Sequence, residues 1–436
     1  MRWKVPLGFL RVAAIAAFLV FPCRASEPPF RSPYPAEPER YDSEYYLDIL
    51  TMRFDREWRD FWYTRDNAFA MRFGSLNVEQ WNLEESLKFS TSLGARWRLR
   101  YWMEMRHSLD ERAAERNELE LEYRLGGALY LSLLIEPAFW KRENDAGICI
   151  QRRRSIDRYA RFIFRVRDFA NNFAYEHGEN IEDEMNLYGA QPVEFVLEGR
   201  EAIGEAFHFG FCASVTNTWS KDYRFLTGSE PDYRESAYAR DGSIWFEYEA
   251  LPSLRVNLDA RATEYYDETS GRYERVTKHR VREFIPHVWW YMKAGGDHSA
   301  NNTASDALDR RAGVGVCAGV EIRRERAAYR TSGFETVGES DAVRKDELLP
   351  FLLFQRVFKT MHMVELGYLG DRYDFDAIGP GARSSERWEN RVKLSYEMRF
   401  KERGRFRVTE TIDLDREDWG QFSIHDHFFL MLMLGF

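Results

Sequence analysis

Between Arg96 and Arg106 the charged residues Arg96, Arg98, Arg100, Glu104 and Arg106 alternate with Trp97, Leu99, Tyr101, Met103 and Met105. A β-strand turns successive side chains to opposite faces, so the segment predicts a strand with one charged face and one apolar face. The split recurs where Glu118, Glu120, Glu122 and Arg124 alternate with Leu119, Leu121, Tyr123 and Leu125. It recurs again with Arg161, Arg165 and Arg167 against Phe162, Phe164 and Val166, and with Glu194 and Glu198 against Val193, Phe195 and Leu197. Later copies set Arg255, Asn257, Asp259 and Arg261 against Leu254, Val256, Leu258 and Ala260, and Lys393, Ser395, Glu397 and Arg399 against Val392, Leu394, Tyr396 and Met398. No long segment carries a comparable helical period.

Alternation alone leaves open which face is inside. A soluble sandwich packs its apolar faces together, whereas a membrane barrel turns them to lipid. The predicted strands favour the barrel, because they run to about 9–15 residues, enough for a tilted strand to cross a bilayer, while strands of soluble proteins are nearer 5–6. Their apolar faces also end repeatedly in Trp, Tyr or Phe, as interfacial girdles do.

The chain ends His425-Asp-His-Phe-Phe-Leu-Met-Leu-Met-Leu-Gly-Phe436, which places Phe428, Leu430, Leu432, Leu434 and Phe436 on one face. This resembles the C-terminal strand of Gram-negative outer-membrane β-barrel proteins. The resemblance implies that these five residues are a membrane-insertion signal read by the barrel-assembly machinery. It also implies that the chain's apolar wall meets outer-membrane lipid and lipopolysaccharide. One departure is that the alternate positions Phe429, Met431, Met433 and Gly435 are apolar too.

Counting back from that end orients the connections. Turns at Leu93-Gly94, Gly126-Gly127, Gly199–Gly204, Leu251–Ser253, Phe358–Thr360 and Lys401–Gly404 are short and fall on the periplasmic side. Segments 107–115, 138–146, 169–190, 218–241, 265–275, 326–346, 372–386 and 416–423 read as longer extracellular loops, the asymmetry of such barrels. Segment 295–312 is a long polar connection that parity assigns to the periplasm, unless a strand lies within it. The expected fold is all-β, a closed antiparallel transmembrane β-barrel of about 18 strands (range 14–18) over residues 66–436, the first strand near 66–74.

Residues 1–25 have the layout of a secretory signal peptide: Arg2, Lys4 and Arg11 precede an apolar run from Val12 to Pro22, with cleavage expected after Ala25. Cys23 gives a lipoprotein signal as the rival reading, though Phe21 and Pro22 stand where small residues belong. Residues 26–65 are Pro-rich and form a periplasmic arm, a lumen plug or a disordered tail. Composition then sharpens the picture. The chain of 436 residues carries 62 basic and 71 acidic residues, a net −9. Losing Arg2, Lys4, Arg11 and Arg24 with the leader takes −9 to −13. An acidic chain argues against nucleic acid as a partner, and no apolar run is long enough for a spanning helix. Cys149, Cys212 and Cys317 are odd in number and widely spaced, so they read as small packing residues and not as a disulfide or zinc framework.

Function must then be read from the inward face. Of the 62 basic residues, 52 are Arg, whose planar fork pairs bidentately with carboxylates. The residues Arg96, Arg98, Arg100, Glu104, Glu118, Glu120, Glu122, Arg161, Arg165, Arg167, Glu194 and Glu198 are candidates for lining the lumen. They either cross-link the wall or select solutes by charge. Three functional classes follow: a porin-like or exporter-like channel for polar or charged solutes, a conduit barrel filled by a periplasmic partner protein, and an outer-membrane hydrolase. For the last, His425-Asp426-His427 is the only suggestive group, and it offers no third metal ligand. Asp371, Asp374 and Asp376 are a weak candidate for Ca²⁺. No catalytic residue, metal site or cofactor is assigned, because the chain has no P-loop, dinucleotide fingerprint or haem-attachment motif.

Overall fold

The computed structural model describes residues 67–435 apart from 76–80, 109–113, 137–144, 156–157, 173–183, 205, 226–232, 252, 272–273, 293–312, 333–339, 359–361, 379–383, 401–403 and 416–424. The signal segment, the arm 26–65 and Phe436 lie outside the described residues. The strands are β1 (Ala68–Ser75), β2 (Trp81–Ser92), β3 (Trp97–Ser108), β4 (Ala114–Gly126), β5 (Leu129–Glu136), β6 (Asp145–Ser155) and β7 (Arg158–Val166). They continue with β8 (Glu184–Ala190), β9 (Val193–Ile203), β10 (Phe207–Thr216), β11 (Trp219–Phe225), β12 (Tyr233–Leu251) and β13 (Leu254–Gly271). The last are β14 (Glu274–Tyr291), β15 (Gly313–Ser332), β16 (Ser340–Phe358), β17 (His362–Ile378), β18 (Ser384–Arg399), β19 (Gly404–Asp413) and β20 (His425–Gly435).

All pairings are antiparallel, and β1 pairs on one side with β2 and on the other with β20, Ala68 standing opposite Gly435. The sheet therefore closes. Two of the 20 strands are outside the ring: β7 pairs directly with β9 and β10 directly with β12, leaving 20 minus β8 and β11, an 18-stranded barrel. The 18 strands match the sequence-based count. β8 and β11 are the upward continuations of β9 and β10, paired with each other. The break falls at Gln191-Pro192 because proline has no N–H for the ladder. Asn217 replaces the lost pairing with its side chain, which accepts from the Val193 N–H at 2.7 Å and donates to the Gln191 carbonyl at 3.0 Å.

The connections at Leu93-Gly94, Gly126-Gly127, 204–206, 252–253 and 359–361 all fall at one end, where β20 finishes and β1 begins, and residues 199–203, expected within a turn, continue β9. Gly127 turns with φ +57°, a conformation open to residues without a Cβ. At the opposite end the expected loops were too long. Segments 169–190, 218–241, 265–275, 326–346 and 372–386 contain the whole of β8 and β11 and the outer ends of β12 to β18. Backbone pairing continues there after the apolar side chains stop, so the alternating signal disappears before the strand does. Segment 293–312 connects β14 to β15, which pair directly, so no ring strand stands between them.

Candidate functional site

The wall sorts its side chains by parity. Phe162, Phe195, Leu197, Ile244, Val256, Leu352, Phe354, Leu366 and Leu394 are exposed on the outer face. Many of their sequence neighbours on the inner face are buried and charged, among them Glu194, Glu198, Arg255, Glu365 and Lys393.

The predicted residues of β3, β4, β7 and β9 meet in three charged groups. Arg100 donates to Glu120 at 2.8 Å and to Glu122 at 2.9 Å, while Arg153 also reaches Glu122 at 3.2 Å and Ser132 donates to Glu120 at 2.6 Å. Arg161 lies 2.5 Å from Glu198. Arg165 donates to Glu118 at 2.5 Å and Glu194 at 3.4 Å, and Glu194 also accepts from Arg167 at 3.2 Å and Ser214 at 3.0 Å. The Arg165 to Glu118 bond passes over β5 and β6. Gly147 stands opposite Arg165, where a Cβ would meet the Phe164 carbonyl at 2.6 Å and the Arg165 Cβ at 3.3 Å.

Arg98 stands on the same face, half-buried, opposite Glu122. Arg96 does not line the lumen: it lies in the exposed turn before β3 and donates to the Tyr123 hydroxyl at 3.3 Å, on the outer face. A turn residue is free of the strand's parity, which is why the alternation misplaced it. Glu104 is on β3 opposite Arg116, and its side chain lies outside the described residues.

A second charged wall was only partly legible. On β14, β15 and β16, Arg323 lies between Glu283 (3.8 Å), Glu325 (3.9 Å) and Glu347 (3.4 Å), with His279 at 2.6 Å from Glu325 and Lys345 at 2.7 Å from Glu347. Farther round, Lys393 pairs with Glu365 at 2.7 Å, and Glu397 accepts from Arg399 at 2.6 Å and from Arg407. Glu321-Ile-Arg-Arg-Glu-Arg326 conceals its inward members because outward Arg324 and Arg326 interrupt the alternation.

The inner face is not charged throughout. Ile285, Trp289, Cys317, Phe351, Leu353 and Leu369 form an inward apolar cluster on β14 to β17. Leu134, Cys149 and Ile163 form a second, and Ala68, Ala70, Met431 and Met433 a third. The third explains the departure noted in the last strand: Phe429, Met431 and Met433 face inward, buried, while Phe428, Leu430, Leu432 and Leu434 take the outer parity. Cys149 and Cys317 serve as the small packing residues expected.

The Ca²⁺ candidate is not assembled. Asp371 is buried on the inner face of β17, and Asp374, three residues on, is exposed on the outer face, so a period of two keeps them apart. Among the described residues no group of three His, Cys, Asp or Glu could hold a metal ion. The side chains of His425 to His427 lie outside the described residues.

What surrounds this wall follows from its outer face. On β15 the outward positions Val314, Val316, Ala318, Val320 and Ile322 run uninterrupted until Arg324. About 9 residues at roughly 3.3 Å each, tilted by about 40°, span about 23 Å. An apolar band of that height around a closed sheet with a polar interior is what a bilayer requires, since a closed ladder leaves no sheet edge facing lipid. The chain is a transmembrane β-barrel. Its fold is a closed antiparallel barrel of 18 strands.

No protein-family model matches the chain, and no curated protein matches it. Among solved structures it is similar to the outer membrane protein OpdK from Pseudomonas aeruginosa, at 11% identity and TM-score 0.37, covering 84% of this chain and 97% of that one. It is similar also to a bacterial polysaccharide outer membrane secretin, at 8% identity and TM-score 0.33, covering 85% and 99%. A third is the translocator domain of the autotransporter NalP from Neisseria meningitidis, at 8% and TM-score 0.30, covering 71% and 89%.

Proposed function

We propose that this barrel is an outer-membrane channel for polar or charged solutes, exported by its signal segment and inserted through its C-terminal strand. The observation that carries the reading is the ring of 18 strands with charged residues of both signs on its inner face. At about 4.8 Å between strands and a tilt of about 40°, a round ring of that size is about 35 Å across its backbone, and barrels of 16–18 strands hold an aqueous channel. Rings of charged side chains then discriminate among ions and solutes. The Arg98, Arg100, Arg161, Arg165 and Arg167 side favours anions, and Glu118, Glu120, Glu122, Glu194 and Glu198 hold their guanidinium groups in place.

Planar-bilayer recording of the refolded full chain tests this. Open-channel current is expected, and Arg161→Gln should move the reversal potential in a salt gradient toward cation selectivity. Absence of current at every voltage and salt concentration would overturn the reading.

The inward apolar clusters favour a second reading, a conduit barrel occupied by a periplasmic partner protein, because water alone is a poor neighbour for Trp289, Phe351 and Leu353. Nothing in the described site supports a hydrolase as well as either of these.

A further inference from the structure

Above the apolar belt, on the loop end of β12 to β16, the outer face changes character. Phe284, Ile322 and Leu348 are exposed on adjacent strands. In the rows above them stand Lys278, Arg280, Arg282, Arg324, Arg326 and Arg344, against which the same patch offers Glu264 and Asp346. Register sets the cations against one another. Arg280 is directly opposite Arg326, Arg282 is opposite Arg324, and Arg326 is opposite Arg344. Like charges facing across strands destabilise a sheet.

Each of the two acids is shared. Asp346 lies 2.8 Å from Arg344, 3.4 Å from Arg326 and 3.8 Å from Arg324. Glu264 lies 2.7 Å from Arg280, 3.8 Å from Arg240 and 3.9 Å from Lys278. The guanidinium groups also stay open, the Arg324 side chain being 69% exposed and that of Arg344 52%. Exposed Asp374 and the Arg372–Glu386 pair on β17 and β18 bound the patch, so the excess of positive charge is concentrated on β14 to β16.

We infer that this patch is a docking surface for the phosphate groups of an outer-leaflet glycolipid whose acyl chains lie along the apolar belt below. The height fits, because the first charged row begins one position above the exposed Phe284, Ile322 and Leu348, where acyl chains give way to headgroups. The spacing fits as well. Three adjacent strands present their arginines across about 10 Å, so one ligand carrying more than one phosphate meets several forks. Arginine binds phosphate bidentately, and the anion relieves the repulsion built into the register. A protein partner of acidic surface would satisfy the charges and leave the adjoining apolar belt unmatched, whereas a phosphorylated lipid satisfies both.

The inference rests on the outer-membrane placement given above, and its test separates the two. The full-length barrel in detergent is titrated with diphosphorylated lipid A, with its dephosphorylated form and with inorganic phosphate, and bound lipid is counted by native mass spectrometry. The variant Arg282→Gln/Arg324→Gln/Arg326→Gln should bind diphosphorylated lipid A on the order of 100-fold more weakly, at about fivefold per basic residue. The corresponding Arg→Lys variant, which keeps the charge and loses the fork, should bind more weakly than wild type and more tightly than the Gln variant, which separates loss of charge from loss of fold. Equal binding of wild type and the Gln variant, equal binding of the dephosphorylated lipid, or inorganic phosphate binding as tightly as the lipid would each overturn the inference. Bilayer conductance of the Gln variant should be unchanged, because all three residues face away from the lumen.

Discussion

Replacing Arg165 by Met removes the charge that ties β7 to β4 and β9 while keeping most of the side-chain volume. Arg165 is 8% exposed, and its partners Glu118 and Glu194 are 16% and 10% exposed. Their losses are unequal. Glu194 retains Arg167 at 3.2 Å and the Ser214 hydroxyl at 3.0 Å, so the cost falls on Glu118. Stranding a fully buried charge costs about 3–5 kcal/mol. Glu118 opens to the lumen and recovers part of its hydration there, which brings the expected loss to about 2 kcal/mol. Adding Glu118→Gln removes the stranded charge, so the double variant should regain about 1 kcal/mol, and the coupling between the two sites should exceed the error of additivity. Equilibrium urea unfolding in detergent micelles, followed by tryptophan fluorescence, measures all four proteins. An unchanged midpoint for Arg165→Met together with zero coupling would refute the reasoning, because the pair would then be an accident of placement on a well-hydrated wall.

Two further outcomes follow from the same geometry. Gly319→Ala should destabilise the barrel by about 1–3 kcal/mol, since its Cβ would lie 2.5 Å from the Phe351 ring, 2.6 Å from His287 Cβ and 2.8 Å from the Pro286 carbonyl. Gly242→Ala, where the nearest atom is 4.0 Å away, should be silent in the same unfolding assay. Asp168, in the turn after β7, has its carboxyl pushed up by burial, although the Tyr188 hydroxyl donates to it at 2.5 Å. The folded state therefore holds the proton more tightly than the unfolded chain does. Local stability should be full below the ordinary aspartate pKa of about 3.9 and fall as pH rises through the higher folded value. Hydrogen exchange over 184–190 should quicken across that range in the wild type beyond its intrinsic pH dependence, and Asp168→Asn should abolish the excess.

Much of the architecture was written in the chain as a period of two. Arg98 to Arg100, Glu118 to Glu122 and Arg161 to Arg167 show it, because Leu99, Leu121, Phe162 and Phe164 take the outer parity while Arg100, Arg161 and Arg167 meet carboxylates on the inner face. The same logic explains where reading by parity stopped. On β15, Arg324 and Arg326 sit above the belt on the outer face, beside inward Arg323 and Glu325, so a paired strand looks like a polar loop. Inside the barrel, Cys317, Phe351 and Leu353 face inward among apolar neighbours, and alternation cannot distinguish an inward leucine from an outward one. The interruption of β8 and β9 depended on a single Pro192, whose meaning appears only once Asn217 is seen to complete the ladder. Cross-wall partners such as Arg165 and Glu118 are 47 residues apart and separated by two strands, a relation no local pattern encodes.

The central claim is that adjacent residues of one strand face opposite media, lipid outside and the charged lumen inside. Spin labels at Phe162→Cys and Arg161→Cys on β7, in a chain with Cys149, Cys212 and Cys317 replaced, test it most directly once the barrel is reconstituted in lipid. Phe162 is 42% exposed on the outer face and Arg161 lies 2.5 Å from Glu198 on the inner one. The label at 162 should collide preferentially with lipid-dissolved oxygen, and the label at 161 with a water-soluble nickel chelate. The reverse order, or equal accessibility of the two labels to both reagents, would contradict the barrel's polarity and with it the account of the lumen.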